Sequence, residues 1–148
     1  MTTLHASLLF LHVLSISAWL AAALWVPGDV KRALALGGPH PGALAAAVRP
    51  KLGLDAAAGI AAIASGLLLM WEASMTRPRL GITLGIGFAV LRLGLLASMR
   101  RAFRGLAARV AAGEPAAAGD PSARRMSMLA GMAHAAWLVA LAGMIFPV

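Results

Sequence analysis

The sequence contains no cysteine and only five acidic residues. Without thiols, the chain cannot form disulfides, thiolate metal sites, iron–sulfur clusters or a c-type haem attachment. Any metal ion would need ligands from histidine, methionine, carboxylate or backbone groups. The sequence also lacks an HExxH motif, a phosphate-binding loop, paired catalytic carboxylates and a nucleophile triad. It therefore gives no support to hydrolase chemistry of the kind found in soluble enzymes.

Charge is scarce in the chain, and apolar residues dominate it. Of 148 residues, 61% are hydrophobic and 12% are charged, and the mean hydropathy is +0.85. Soluble domains have an apolar share nearer to half, so the composition predicts a membrane protein. The net charge of +8 comes from bases between apolar runs, where the positive-inside rule accounts for them. Nucleic acid is therefore not an expected partner.

Four apolar runs are long enough to cross a bilayer as helices, and they cover residues 4–26, 52–71, 80–99 and 126–146. Pro27 and Gly28 predict the end of the first helix, followed by a loop to about residue 51. The third helix is expected to continue over 100–112, and Asp120 or Ser122 to cap the fourth. The predicted fold class is all-α: a polytopic membrane protein with one domain, 1–148, built as a four-transmembrane-helix antiparallel up-down bundle.

The distribution of lysine and arginine predicts the orientation of this bundle. Connection 27–51 carries four of these residues, connection 100–125 carries six, the short connection between the second and third runs carries two, and neither tail carries any. The positive-inside rule then places 27–51 and 100–125 in the cytoplasm and both termini outside. We expect a multi-pass protein of the bacterial-type inner membrane, with the lipid bilayer as its partner and a homo-oligomer or a larger membrane complex as its assembly.

Two histidines lie within the apolar runs. His5, His12 and Trp19 are spaced seven apart, so they share one stripe of the first helix. Because an imidazole is costly in hydrocarbon, His12 is expected to face protein, water or a bound group. His134 lies near the middle of the fourth run, at a depth that can match that of His12.

The two imidazoles leave three interpretations open. As axial ligands from separate helices, His12 and His134 can hold a b-type haem, with Trp19 packed against it. A copper ion can instead take His5 as outer ligand, His12 next, and Met132 or His134 deeper. In the third interpretation, each histidine only hydrogen-bonds a backbone carbonyl or a serine such as Ser15.

Arg92 is the only charged residue in the third run, and an arginine at that depth costs about 2.5–3.5 kcal/mol. A partner would lower this cost. Asp55, near the start of the second run, predicts a structural ion pair, and a propionate of a bound ligand is the alternative partner. Small residues line the same faces as these two charges and predict close helix packing: Gly59, Ala62, Gly66, Gly81, Gly85 and Ala89.

The run LHVLSISAWLAAALWVP, with His12 and Trp19 seven apart, resembles the first helix of the CopD-like copper-resistance membrane proteins. It is also similar to that of the HemJ-type protoporphyrinogen oxidases. The resemblance implies copper handling, or haem bound through the first-helix histidine, and it carries over to His12 alone. HemJ-type proteins open the third span with a tryptophan and then a functional lysine, whereas RPRLGITLG offers Arg79 and Thr83 here. Porphyrinogen oxidation therefore does not carry over.

These observations predict an integral inner-membrane protein with an intramembrane site made of His12, His134, Arg92 and Trp19. The favoured ligand is b-type haem, used for electron transfer or a related redox role. The alternatives are copper binding or transport of the CopD type, and a non-catalytic structural subunit of a larger membrane complex. The sequence makes no prediction about whether the protein is an enzyme.

Overall fold

The computed structural model describes residues 2–35, 41–74, 80–116 and 119–145. These residues form four helices, α1 (Thr3–Ala35), α2 (Pro41–Glu72), α3 (Leu80–Ala111) and α4 (Pro121–Ile145), and they include no strand. Each helix is long and apolar enough to cross a membrane. The all-α prediction is therefore confirmed. Phe146, at the end of the fourth apolar run, lies outside the described residues.

The predicted loop over 27–51 is wrong, because α1 and α2 are both longer than their apolar runs. Pro27 lies inside α1, which continues to Ala35, and Pro50 lies inside α2, which begins at Pro41. An internal proline costs roughly 3 kcal/mol through a lost hydrogen bond and a clash. Burial of apolar side chains around the two prolines offsets this cost, at roughly 1.5–3 kcal/mol each: Val26, Val30, Leu34, Leu44, Val48 and Leu52.

The two predictions about the α3–α4 region are confirmed. Helix α3 continues past its apolar run to Ala111. Helix α4 begins at Pro121, ahead of the apolar run, and Asp120 caps it, since the Ser122 N–H donates to Asp120 Oδ1 at 2.7 Å. Proline suits the first position of a helix because no hydrogen bond is lost there. Arg109 Nη2 donates to both Asp120 oxygens, at 2.9 and 3.1 Å, and so ties this cap to α3.

The helices pack mainly as two pairs. Helix α1 packs along α2, and α3 packs along α4, whereas contacts between α2 and α3 and between α1 and α4 are sparser. Polar contacts join both ends of the first pair: an ion pair of Asp29 with Lys51, and a hydrogen bond between His5 and Glu72. In the second pair, a Cβ on Gly143 would lie only 2.7 Å from the Gly81 carbonyl oxygen. Glycine at this position lets the two backbones touch.

The interior differs between the two halves of the molecule. The half that contains the ends of α1 and α3 and the starts of α2 and α4 is filled by a large apolar cluster with members on all four helices, including Leu44, Leu96, Met99, Phe103 and Met126. The opposite half has a smaller buried cluster around Trp19 and Ala58. This less filled half holds the candidate site.

Candidate functional site

A cavity of about 410 Å³ lies between the two helix pairs, in the half of the molecule away from the filled core. Its volume falls in the range of roughly 300–1,000 Å³ that is typical of small-molecule sites. All four helices line it, and small residues such as Ala62, Gly66, Ala89 and Ala140 leave the space open. The lining is almost entirely apolar, and His12 is the one titratable side chain among the described residues that form it.

His12 is held against α2 through one ring nitrogen. Its Nδ1 lies 2.9 Å from the Ala62 carbonyl oxygen and 3.1 Å from Ser65 Oγ. Because a carbonyl oxygen only accepts, Nδ1 carries the proton and donates to Ala62. The Ser65 hydroxyl in turn donates to the Ala61 carbonyl at 2.6 Å. In the neutral ring Nε2 then has a free lone pair, and it makes no hydrogen bond to any part of the chain that the structure describes.

Gly66 gives the imidazole its place. A Cβ at this position would lie 3.0 Å from His12 Cε1, which is tighter than an ordinary van der Waals contact, and 3.5 Å from Nδ1. The sequence identifies Gly66 only as part of a small-residue face, and gives no signal for Ser65 as a partner of His12. The hydrogen bond from Nδ1 to Ala62 and the contact with Gly66 therefore hold the ring in one tautomer and one orientation, as is usual for histidine ligands.

Arg92 forms the centre of a buried polar layer next to the cavity. Its side chain is 1% exposed, and its Nη2 donates to Asp55 Oδ1 at 3.0 Å and to the Trp19 carbonyl oxygen at 2.7 Å. The guanidinium carbon lies 4.1 Å from the centroid of a Trp19 ring, where a cation–π interaction stabilises it. A Cβ on Gly59 would meet the same indole at 2.7 Å. The predicted Arg92–Asp55 pair is confirmed.

Arg92 is not among the residues that line the cavity, whereas Trp19 is. The Trp19 indole therefore touches the cavity on one side and Arg92 on the other. This placement gives Arg92 the role of ion-pair partner to Asp55, and it does not bring the guanidinium to the cavity wall as a propionate clamp would require. Nε and Nη1 of Arg92 are buried without a hydrogen-bond partner among the described residues.

The structure does not bring His134 to the cavity wall beside His12. His134 Nδ1 lies 2.7 Å from the Ala130 carbonyl oxygen of its own helix, so it donates its proton to a hydrogen bond within α4. Helix α4 instead presents Trp137, Ala140, Leu141 and Met144 to the cavity. The expected pair of facing imidazoles is therefore not formed. The rotation of α4 about its own axis directs those four side chains, and not that of His134, towards the cavity.

The residues expected to bind copper are also dispersed. His5 lies at the start of α1, where Nδ1 is 2.5 Å from Glu72 Oε2. Met132 is 50% exposed on α4 and is not part of the cavity lining. Among the residues of the four helices and their described flanks, no three histidine or carboxylate groups gather as a metal site. Of the expected ligands, only His12 faces the cavity.

The fold and the site define an all-α protein whose four helices can each cross a membrane, with an apolar cavity that carries one oriented imidazole. No protein-family model, curated protein or solved structure matches the chain. The geometry of the cavity and the chemistry of its lining residues are therefore the basis for a function.

Proposed function

We propose that the protein is an integral inner-membrane protein whose helices form an up-down antiparallel bundle with both termini outside. The charge distribution supports this orientation, because the connections after α1 and α3 lie among most of the basic residues. Large apolar side chains on the outer faces also support insertion, with exposed fractions of 71% for Phe10, 54% for Leu14 and 61% for Ile60. Lipid would cover these faces.

The proposed ligand of the cavity is b-type haem, and His12 would hold its iron. The observation that carries this proposal is the state of the imidazole on the wall of an apolar cavity: Nδ1 is anchored to Ala62, and Nε2 has no hydrogen bond to the described residues. A histidine that donates Nδ1–H to a carbonyl is fixed in the tautomer that binds a metal through Nε2. Bound haem would supply a reversible one-electron couple, for electron transfer or a related redox role.

The remaining lining residues fit an aromatic macrocycle. The indoles of Trp19 and Trp137 line the cavity together with aliphatic side chains of all four helices, and they offer flat apolar surface. Such a lining is of low polarity, and low polarity around the iron is one of the means by which a protein sets a redox potential. Since His134 is not on the wall, the proposal assigns His12 as the one histidine ligand. It also agrees with the resemblance of the first helix to the CopD-like and HemJ-type proteins.

The proposal is tested by the visible absorption spectrum of protein purified in mild detergent after expression with ample haem, first oxidised and then reduced with dithionite. We expect a Soret band and reduced α and β bands that His12→Ala abolishes and His134→Ala keeps. His134→Ala is the matched control, because it removes an imidazole that is absent from the cavity wall. A spectrum without these bands in the unaltered protein would refute haem binding. Metal analysis of the same sample would then separate copper binding, the alternative, from a structural subunit without cofactor.

A further inference from the structure

A group of exposed basic side chains extends over all four helices in the half of the molecule that holds the filled core. We name it the basic collar. Its members are exposed, and each helix contributes one or two of them: Lys31 and Arg32 on α1, Arg49 on α2, Arg101 and Arg104 on α3, and Arg124 and Arg125 on α4.

Contacts between the helices place the collar residues at one level. The Lys51–Asp29 pair sets the end of α1 beside the start of α2. Arg100 Nη2 donates to the Leu52 carbonyl oxygen at 2.7 Å, which sets α3 beside the same part of α2. On α4, Asp120 accepts from Arg109 at 2.9 Å. Every member of the collar lies within a few residues of one of these contacts.

The collar lies about one hydrocarbon thickness from the opposite ends of α3 and α4. Helix α4 extends from Arg125 to Ile145, which is about 30 Å at roughly 1.5 Å per residue. The hydrocarbon core of a bilayer is also about 30 Å thick. Helix α3 continues beyond Arg101 to Ala111, about 15 Å further. With the apolar helix segments in the hydrocarbon, the collar is therefore level with the lipid phosphates of one leaflet.

The charges of the collar are not neutralised within the described part of the chain. Of the acidic side chains there, Asp29 pairs with Lys51, Asp55 with Arg92, Asp120 with Arg109 and Glu72 with His5, and the exposed Glu114 forms no ion pair with a collar residue. No ion pair joins a collar residue to a carboxylate in the residues that the structure describes. Guanidinium groups bind phosphate oxygens through two parallel hydrogen bonds, so this ring of cations is suited to phosphate diesters.

We propose that the basic collar binds the phosphates of anionic phospholipids in the cytoplasmic leaflet. This inference rests on the proposed membrane insertion and orientation, and it does not depend on haem. Depth argues for lipid as the source of the phosphate, since the cations face outward from all four helices at the level of the headgroups. Basic residues at this level contribute substantially to the binding of anionic lipid.

Trp25 provides a reporter for lipid at the collar. Its side chain is 58% exposed, and Lys51 Nζ lies 6.0 Å from the centroid of its ring. The experiment uses Trp71→Phe protein, because Trp71 is 80% exposed at the other end of α2. The protein is reconstituted in phosphatidylcholine vesicles that contain either brominated phosphatidylglycerol or brominated phosphatidylcholine at the same mole fraction. Bromine on a neighbouring lipid quenches tryptophan fluorescence.

We expect stronger quenching by the anionic lipid, and Lys31→Gln/Arg49→Gln should lower the relative binding constant for phosphatidylglycerol by about threefold or more. The matched control is Arg77→Gln/Arg79→Gln, which removes the same charge from the connection between α2 and α3 and should keep the preference. An equal effect of both double variants, or no preference in the unaltered protein, would overturn the proposal. Flotation with neutral vesicles reports insertion separately, and the haem spectrum reports the cavity.

Discussion

Arg92 is the residue whose position in an apolar helix most needs a physical explanation. Its insertion cost of about 2.5–3.5 kcal/mol is offset by three interactions: the ion pair with Asp55, the hydrogen bond to the Trp19 carbonyl oxygen and the contact with the Trp19 ring. These partners come from α1 and α2, whereas Arg92 belongs to α3. The arginine therefore joins the two helix pairs, between which direct contacts are sparse.

The Arg92–Asp55 pair predicts a strongly non-additive effect of mutation. Arg92→Leu leaves the Asp55 carboxylate buried without its cation, so we expect a loss of roughly 3–5 kcal/mol in the free energy of unfolding. The double variant Arg92→Leu/Asp55→Leu removes both charges and should recover most of this loss. Unfolding by increasing SDS in mixed micelles, followed by circular dichroism, measures all three proteins. A double variant that is no more stable than Arg92→Leu would contradict a coupled pair.

At the residue scale, the sequence predicted which side chains pair better than it predicted the direction in which a side chain points. Arg92 and Asp55 were paired correctly because a buried charge has few ways to be stabilised, and only one acid lay within reach. His134 was expected beside His12 on the basis of depth alone. Depth follows from counting residues, but the direction of a side chain depends on how each helix is rotated by its packing, which a single sequence does not specify. The Ser65 hydroxyl near His12 was missed for the same reason.

At the scale of helices, proline was a misleading signal and small residues were a good one. Pro27 and Pro50 were expected to lie in a loop, yet both lie within helices. Packing against neighbouring helices outweighs local propensity at these positions. The small-residue faces of α2 and α3 do mark close contacts, as Gly59 beside Trp19 and Gly85 beside Ala140 demonstrate. The cap at Asp120 was predicted because its signal is local.

The contact between α3 and α4 predicts opposite effects for two glycines of the same helix. A Cβ on Gly143 meets the backbone oxygen of Gly81 at 2.7 Å, and a backbone atom cannot rotate away. Gly143→Ala should therefore destabilise the protein by roughly 1–3 kcal/mol. Gly131→Ala is the control, since its Cβ meets nothing within 4 Å, and it should be neutral or stabilise by up to about 1 kcal/mol. Thermal unfolding in detergent compares them, and equal melting temperatures would contradict the close contact.

The Asp120 cap predicts a dependence of stability on pH. Burial raises the pKa of the Asp120 carboxyl, but hydrogen bonds from Arg109 and from the Ser122 N–H lower it by more, so that the pKa lies below its ordinary value. A lowered pKa in the folded protein stabilises it above the unfolded value of about 3.9, and this stabilisation is lost as the pH falls through the folded pKa.

Asp120→Ala should cost about 1 kcal/mol at neutral pH, as loss of a helix cap usually does. The difference from the unaltered protein should shrink as the pH falls below about 4. Melting temperatures of both proteins between neutral pH and pH 3 provide the measurement. A difference that stays constant over this range would show that the carboxylate charge does not contribute.

At the scale of the whole molecule, a filled half and a hollow half are separated by the layer of Arg92, Asp55 and Trp19. The sequence could predict four helices, because each apolar run is a long and local signal. It could not predict the cavity, which arises from the combined side-chain volumes of four helices that are distant in sequence. The sequence alone identified His12 as a candidate ligand, because a histidine within an apolar run is conspicuous by itself.

The proposed orientation is tested by labelling, since the absence of native cysteine makes any introduced thiol unique. Ser74→Cys follows α2, and Ala112→Cys follows α3 at its basic end; both positions are exposed. In right-side-out membrane vesicles, a membrane-impermeant maleimide should label Cys at position 74 directly and at position 112 only after permeabilisation. The reverse pattern would contradict the orientation, and labelling of both before permeabilisation would contradict membrane insertion.

The central proposal, that His12 would hold a haem iron in the cavity, is tested most directly by chemical rescue of His12→Gly. Removal of the side chain should abolish the Soret band of the haem-loaded protein, and imidazole added to the purified variant together with haem should restore it, because the free imidazole can occupy the space that the ring leaves beside Gly66. Restoration of the band by imidazole is the result we predict. A Soret band in His12→Gly that is unchanged without imidazole would contradict the assignment of His12 as the haem ligand.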